Sequence, residues 1–294
     1  MRLPLGYVYR QRAANIRKPF PLNRPSSSAL RKRQGPLSGI GVLITRPARQ
    51  SATFAGRLAT MGGIPFILPG LIIAPPENEA PVAQALERLN SFDFALFVSA
   101  NAAEAVLARH PAWPPNLIAI AVGPSTADAL ISGGITNVIA PAERYDSEGV
   151  LSLPALQQVA GKRVILFRGA SAGGDGGREL MRVTLETRGA SVLPIACYQR
   201  LRPSIDPGAI LDHWRQGSIH AVVATSAEVL DNFLDLVGAT GKSLLANTPL
   251  FVPHLRIAAH ALAAGLTDVV TTAATDAGLL AGLLQHFSQR QDTK

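Results

Sequence analysis

Six stretches hold the polar side chains best placed to meet a ligand: Thr45-Arg46, Ser99-Ala100-Asn101, Gly123-Pro124-Ser125-Thr126, Arg168-Gly169, Thr225-Ser226 and Pro253-His254. They are rich in hydroxyls, glycine and arginine and poor in carboxylates, a composition that suits an anion. Each follows a short apolar run, so each marks a strand-to-helix turn where free backbone N–H groups also favour negative charge. A charge-assisted hydrogen bond of this kind contributes on the order of 1.5–3 kcal/mol. A plainer reading stands beside each: Ser99, Ser125 and Thr225 could cap their helices, and Arg46, Arg168 and Arg178 could be surface charges. Arg168, directly after a buried run, is the strongest of these ligand contacts.

Other chemistries find little support. The glycine-rich loop 169–177 lacks a Lys-Ser/Thr ending and does not match the dinucleotide glycine spacing. No Ser–His–Asp order or carboxylate pair stands out, and the six histidines are scattered. The single cysteine, Cys197, excludes an internal disulfide and a cysteine-cluster metal site, and fits a reducing cytoplasm. It precedes Tyr198 and reads as a small buried residue at a strand end rather than a nucleophile. An enzyme built from such parts needs a substrate that is already reactive.

The formal charge of +8 invites a nucleic-acid reading until it is located. Of the 28 Lys and Arg, nine fall in residues 1–38, which contain no acid, leaving 19 against 20 acids in the remainder. The body is near neutral, which removes the electrostatic case for nucleic-acid binding there. Residues 1–38 have no hydrophobic period and read as a disordered tail. Such a tail is a dispensable extension or over-called start, an organelle-type presequence, or a polyanion-binding arm. No apolar run reaches the ~18 residues of a membrane span.

Behind the loops, apolar runs alternate with helix-period segments, the pattern of an α/β fold with parallel strands flanked by helices. The series then repeats. Residues 163–168 answer 41–46, 188–192 answer 61–65, 221–226 answer 94–99, 265–269 answer 134–138, and 276–280 answer 146–150. Five matches in one order point to duplication and to two similar lobes. Ligands of open parallel sheets bind beyond the carboxyl ends of the strands, which places the site in a cleft between facing loop edges.

The residues resemble the uroporphyrinogen-III synthase family from about Gly41 to Leu284. The likeness is carried by 42–47 (Val-Leu-Ile-Thr-Arg-Pro), Ser99-Ala100-Asn101-Ala102, 121–127 (Ala-Val-Gly-Pro-Ser-Thr-Ala) and Tyr145-Asp146-Ser147-Glu148-Gly149. Arg168-Gly169 with Gly177-Arg178-Glu179-Leu180, then Cys197-Tyr198-Gln199-Arg200 and 225–228 (Thr-Ser-Ala-Glu), continue it. Val98 departs from the usual hydroxyl residue before Ser99, and loop 169–177 is unusually rich in glycine.

The resemblance implies closure of hydroxymethylbilane to uroporphyrinogen III in tetrapyrrole biosynthesis, with inversion of the last pyrrole ring and loss of water. It implies no cofactor or metal, a cytoplasmic monomer, and neither nucleic acid nor membrane as partner. Contact with the upstream deaminase would be transient. Tyr198 matches the family tyrosine thought to help the hydroxyl leave. A phenol is a weak acid (pKa ~10), and general acid help is worth roughly 10²–10⁴-fold; an aromatic that only packs in the hinge is the competing role. Thr45, Arg46, Ser99, Asn101, Gly123, Ser125, Thr126, Tyr145, Arg168, Gly169, Arg178, Thr225, Ser226 and His254 are the expected substrate contacts. The resemblance also implies a flavodoxin-like pair of interleaved lobes, 39–70 with 203–290 and 77–196, joined by hinge strands within 71–76 and 197–202. A two-lobed module that binds a small ligand without catalysis is the alternative.

Overall fold

The computed structural model describes residues 35–110, 112–170 and 176–291. Its elements run β1 (Gly41–Ile44), α1 (Ala48–Thr60), β2 (Ile64–Ile67), β3 (Ile72–Ala74), α2 (Ala80–Glu87), β4 (Phe94–Phe97) and α3 (Ala100–Leu107). Then come β5 (Ile118–Ala121), α4 (Pro124–Ser132), β6 (Val138–Ile139), α5 (Ser147–Leu151), β7 (Arg163–Ala170), α6 (Gly176–Thr187) and β8 (Ser191–Leu201). The last third holds α7 (Gly208–Arg215), β9 (Ala221–Val223), α8 (Ala227–Leu245), β10 (Leu250–Val252), α9 (Leu255–Ala263), β11 (Val269–Thr271) and α10 (Asp276–Gln291).

These strands form two sheets, ordered β2-β1-β9-β10-β11 and β3-β8-β7-β4-β5-β6. All pairings are parallel except β3 with β8, which is antiparallel. The sequence repeat accounts for the orders: β7, β8, β4 and β6 occupy in one sheet the places of β1, β2, β9 and β11 in the other. Each sheet is thus assembled from both halves of the chain. The join in the five-stranded sheet is β1 against β9, with Val42 opposite Ala221 and Ile44 opposite Val223.

The runs are apolar throughout because both sheet faces are covered. Side chains alternate between faces. Val42 and Ile44 pack with Phe54 and Leu58 of α1 and with Leu279 and Leu283 of α10. Leu43, between them, turns to Trp214, Phe233 and Ala258 on α7, α8 and α9. In the six-stranded sheet Phe97 and Phe167 face α3 and the stem of β8, while Leu96 and Leu166 face α5 and α6. Two such layers around each sheet fix where the strand ends, and hence the loops, stand.

Two boundaries differ from expectation. Most of the basic tail lies outside the described residues, but the folded body starts before residue 39. Leu37 is fully buried against α1 and α10, and its amide donates to the Met61 carbonyl at 2.9 Å. The second hinge strand is not separate: it is the far end of β8, an eleven-residue strand whose Ala196 and Tyr198 still pair with β7. Only its last residues, Gln199–Leu201, meet β3.

Candidate functional site

Tyr198 sits where β8 leaves the sheet core. A bulge between Arg168 and Gly169 brings Gly169 opposite Tyr198. The tyrosine ring lies directly over that glycine: a Cβ added there would stand 2.8 Å from ring carbon Cζ and 3.0 Å from the hydroxyl oxygen. Glycine at 169 is therefore a packing requirement rather than part of a phosphate loop. The ring is 1 % exposed, and its hydroxyl lies 3.1 Å from Ser99 Oγ. Ser99 also caps α3, its Oγ accepting from the Ala102 amide at 3.2 Å. Beside them the Cys197 thiol donates to the Arg168 carbonyl at 3.3 Å, and burial pushes its pKa up to about 12. Cys197 is a packed, protonated thiol and no nucleophile.

The remaining loops of this sheet gather around the same edge. Gly123 is the N-cap of α4, and the Tyr145 side chain rests on it, 3.1 Å from a Cβ placed there. Tyr145 is otherwise exposed and its hydroxyl donates to the Ala142 carbonyl. Ser125 is exposed on the first turn of α4, whereas Thr126 is buried at 1 %. Arg168 is half-buried at the end of β7. The side chain of Arg178 lies outside the described residues, as do residues 171–175 of the glycine-rich loop.

In the five-stranded sheet the corresponding side chains are turned inward. Thr45 is fully buried and its hydroxyl donates to the Val223 carbonyl at 2.8 Å, a bond that ties β1 to β9. Arg46 is 9 % exposed; Nη1 donates to Asp276 Oδ1 at 2.5 Å and the guanidinium stacks 5.0 Å from the Phe54 ring centre. Its Nε is buried without a hydrogen-bond partner. Thr45 is thus committed to the sheet and Arg46 to Asp276 and Phe54 in this conformation, because a strand flanked on both sides buries its own end. Ser226 caps α8 through the Val229 amide at 3.1 Å, and exposed His254 caps α9 through the Arg256 amide at 3.0 Å. Thr225 is partly exposed beside Ser226.

The two loop edges meet at α1 and α3. Gln50 Nε2 donates to Asn101 Oδ1 at 3.2 Å, and Arg49 stands 3.6 Å from Glu104. Sequence reading singles out Asn101 but misses Gln50, Arg49 and Glu104, since which helices face each other depends on how the sheets are joined. Asp276 is also missed as a partner of Arg46, although its recurrence opposite Asp146 in the repeat marks it as a helix-start carboxylate. A surface concavity of about 500 Å³ lies elsewhere, lined by Arg202, Ser204, Asp206, Asn232 and Asp235. Its arginine is already paired with Asp235 and its other carboxylate repels anions, so it does not suit a polyanion. Among the described residues no cluster of histidine, cysteine and carboxylate could hold a metal ion, and no helix is long and apolar enough to cross a membrane.

The family model for uroporphyrinogen-III synthase HemD matches residues 52–281. The uroporphyrinogen-III synthase of Escherichia coli (strain K12) is 31% identical over 251 residues, spanning 84% of this chain and 100% of that protein. That of Synechococcus elongatus is 34% identical over 209 residues, 69% of this chain and 77% of the relative. Among solved structures, the uroporphyrinogen-III synthetase of Helicobacter pylori 26695 aligns with a TM-score of 0.54 at 13% identity, covering 84% of this chain and 99% of that one. A mutant uroporphyrinogen III synthase from the extremely thermophilic bacterium Thermus thermophilus aligns at 0.51 and 16% identity, covering 85% and 99%. At such identities the structures speak for the α/β fold alone, and the family model and curated relatives carry the rest. The chain belongs to the uroporphyrinogen-III synthase family.

Proposed function

We propose that this enzyme closes hydroxymethylbilane to uroporphyrinogen III, with Tyr198 as the acid that helps the terminal hydroxyl leave. The observation that carries the reading is the hydroxyl pair of Tyr198 and Ser99, 3.1 Å apart at the strand-end edge of a family member. The substrate is a flexible polycarboxylate with a ready leaving group. Protonation and loss of water leave an electrophilic azafulvene, which the substituted carbon of the terminal ring attacks to form a spiro intermediate. Fragmentation and re-closure turn that ring over. Uncatalysed closure gives the non-inverted isomer, so the protein's main task is to hold the chain in the reactive fold, and orientation supplies several kcal/mol of such barriers.

Arg168, Ser125, Asn101 and Tyr145 on one edge, with Thr225, Ser226 and His254 on the other, are the groups placed to grip the carboxylates. Gly123 and Gly169 shape the floor, and Arg178 is carried over as a further contact from the family resemblance. Thr45 and Arg46 support the cleft from within. We read residues 39–70 with 203–290, and 77–196, as lobes that close over the substrate about the β3–β8 hinge. The enzyme would work as a cytoplasmic monomer that receives its unstable substrate through a transient contact with the deaminase.

The test is incubation with freshly made hydroxymethylbilane and separation of the isomers. Type III is expected in excess; type I alone, at the spontaneous rate, would leave only a binding module. Tyr198→Phe should slow turnover without lowering the melting temperature.

A further inference from the structure

Tyr198 is 1 % exposed, so a substrate in the cleft does not reach its hydroxyl directly in this conformation. The group leading outward from it is Ser99, the partly exposed N-cap of α3, with Oγ 3.1 Å from the phenol oxygen. A serine hydroxyl has two lone pairs and one hydrogen. The Ala102 amide occupies one lone pair at 3.2 Å. If the phenol donates to the other, the serine's own hydrogen is left to donate to a bound group, since Ser99 is the partly exposed member of the pair.

We propose that Ser99 is the outlet of Tyr198: a two-hydroxyl relay through which the buried phenol protonates the leaving group. The proposal rests on the reading of Tyr198 as the acid. As the substrate C–O bond breaks, Ser99 Oγ–H passes its proton to the departing oxygen and the Tyr198 O–H passes its own to Ser99 Oγ. Water leaves and the pyrrole nitrogen, keeping its hydrogen, supplies the electron pair that forms the azafulvene in its protonated, cationic form, balanced by the tyrosinate. The proton later lost from the α-carbon of the terminal ring returns along the same path to the tyrosinate. One water is released, no proton is consumed overall, and no oxidant or reductant is needed.

A helix cap alone would explain Ser99 differently, and the variants separate the two roles. Asparagine caps helices about as well as serine but carries no hydroxyl, whereas threonine keeps both. Turnover of fresh hydroxymethylbilane is measured, with melting temperatures, for Ser99→Ala, Ser99→Asn, Ser99→Thr, Tyr198→Phe and the Ser99→Asn/Tyr198→Phe pair. The relay predicts that Ser99→Asn keeps the melting temperature yet loses kcat on the order of 10²-fold, with little change in KM. Ser99→Thr retains most of the rate, and the double variant is no slower than the worse single, because both remove one path. Wild-type kcat in Ser99→Asn would reduce Ser99 to a cap. Losses that multiply in the double variant would mean that the two hydroxyls act separately. A fully active Tyr198→Phe would instead overturn the underlying assignment of the acid, whatever Ser99 does.

Discussion

The two sheets descend from one pattern, yet they use the same positions differently. Thr45-Arg46 follow β1, and their counterparts in the repeat, Phe167-Arg168, lie near the end of β7. In the first, the threonine bonds across the sheet and the arginine is held by Asp276 and Phe54. In the second, the arginine stays half-buried at the loop edge. Ser99 and Ser226 cap equivalent helices with nearly the same geometry. Counted from the strand starts paired with Gly41 and Arg163, however, the place of Tyr198 is taken by buried Leu71. The two sides differ: the five-stranded side commits its polar strand ends to its own framework, and the six-stranded side holds the hydroxyls of Tyr198 and Ser99 against each other at its loop edge.

The sharpest way to break this contrast is Gly169→Val. Its side chain would displace the Tyr198 ring, and a shift near 1 Å at a reacting group costs on the order of 10²-fold in rate; kcat would fall accordingly while circular dichroism remained that of a folded protein. Near-wild-type turnover would mean that the ring's position is irrelevant. The arginines should part next. Arg46→Met leaves Asp276 facing an apolar pocket and should cost about 2 kcal/mol, less than a fully buried pair because the carboxylate is partly exposed; it would show in the melting temperature. Arg168→Met should instead raise KM about 10-fold or more, the loss of one charge-assisted contact. Smaller still, Ser226→Ala should cost about 1 kcal/mol of stability and Ser226→Asn should recover it, which a melting curve would read as the share of the helix cap.

Acid should also tell the sheets apart. The first amide of β1, that of Gly41, donates to His220 Nδ1 at 3.0 Å, and that of β7, Arg163, donates to Asp93 Oδ2 at 2.8 Å. Burial lowers the His220 pKa from its ordinary 6.5, so the neutral, accepting ring is the folded form. The Arg163 amide, with help from Lys162, holds the Asp93 carboxyl below its ordinary 3.8. Both contributions are present above the unfolded value and are lost as pH falls through the folded one. Hydrogen exchange at the start of β1 should therefore quicken as pH drops below about 6.5, after correction for intrinsic rates, while β7 holds until below about 3.8. Parallel loss of protection in both strands would contradict this.

Much of the framework was readable from the chain. Buried parallel strands announce themselves as short apolar runs, and the repeat, laid out linearly, matches the strand orders that the two sheets adopt. What was not readable depends on residues brought together from far apart. Arg46 looks like a cleft residue until Asp276, 230 positions away, is placed beside it. Thr45 shares a motif with its neighbour, but nothing local reveals that β9 will cover it. The burial of Tyr198 follows from the β8 bulge and from a glycine whose role only packing discloses. Gln50 and Asn101, 51 positions apart on helices that flank different sheets, meet through the orientation of the sheets, which no local pattern encodes.

The interleaving has a further consequence during synthesis. Strands β3 to β8 emerge in one block and can complete their sheet as soon as they leave the ribosome. β1 and β2 appear first but wait for β9, since Thr45 and its partner Val223 are 178 residues apart. At ordinary translation rates this delay is on the order of 10 to 35 s, during which β1 presents an unpaired apolar edge. The nascent chain should thus depend on chaperone shielding of its N-terminal strands. A circular permutant that starts near α7 and joins the native ends would remove that interval and should aggregate less during translation.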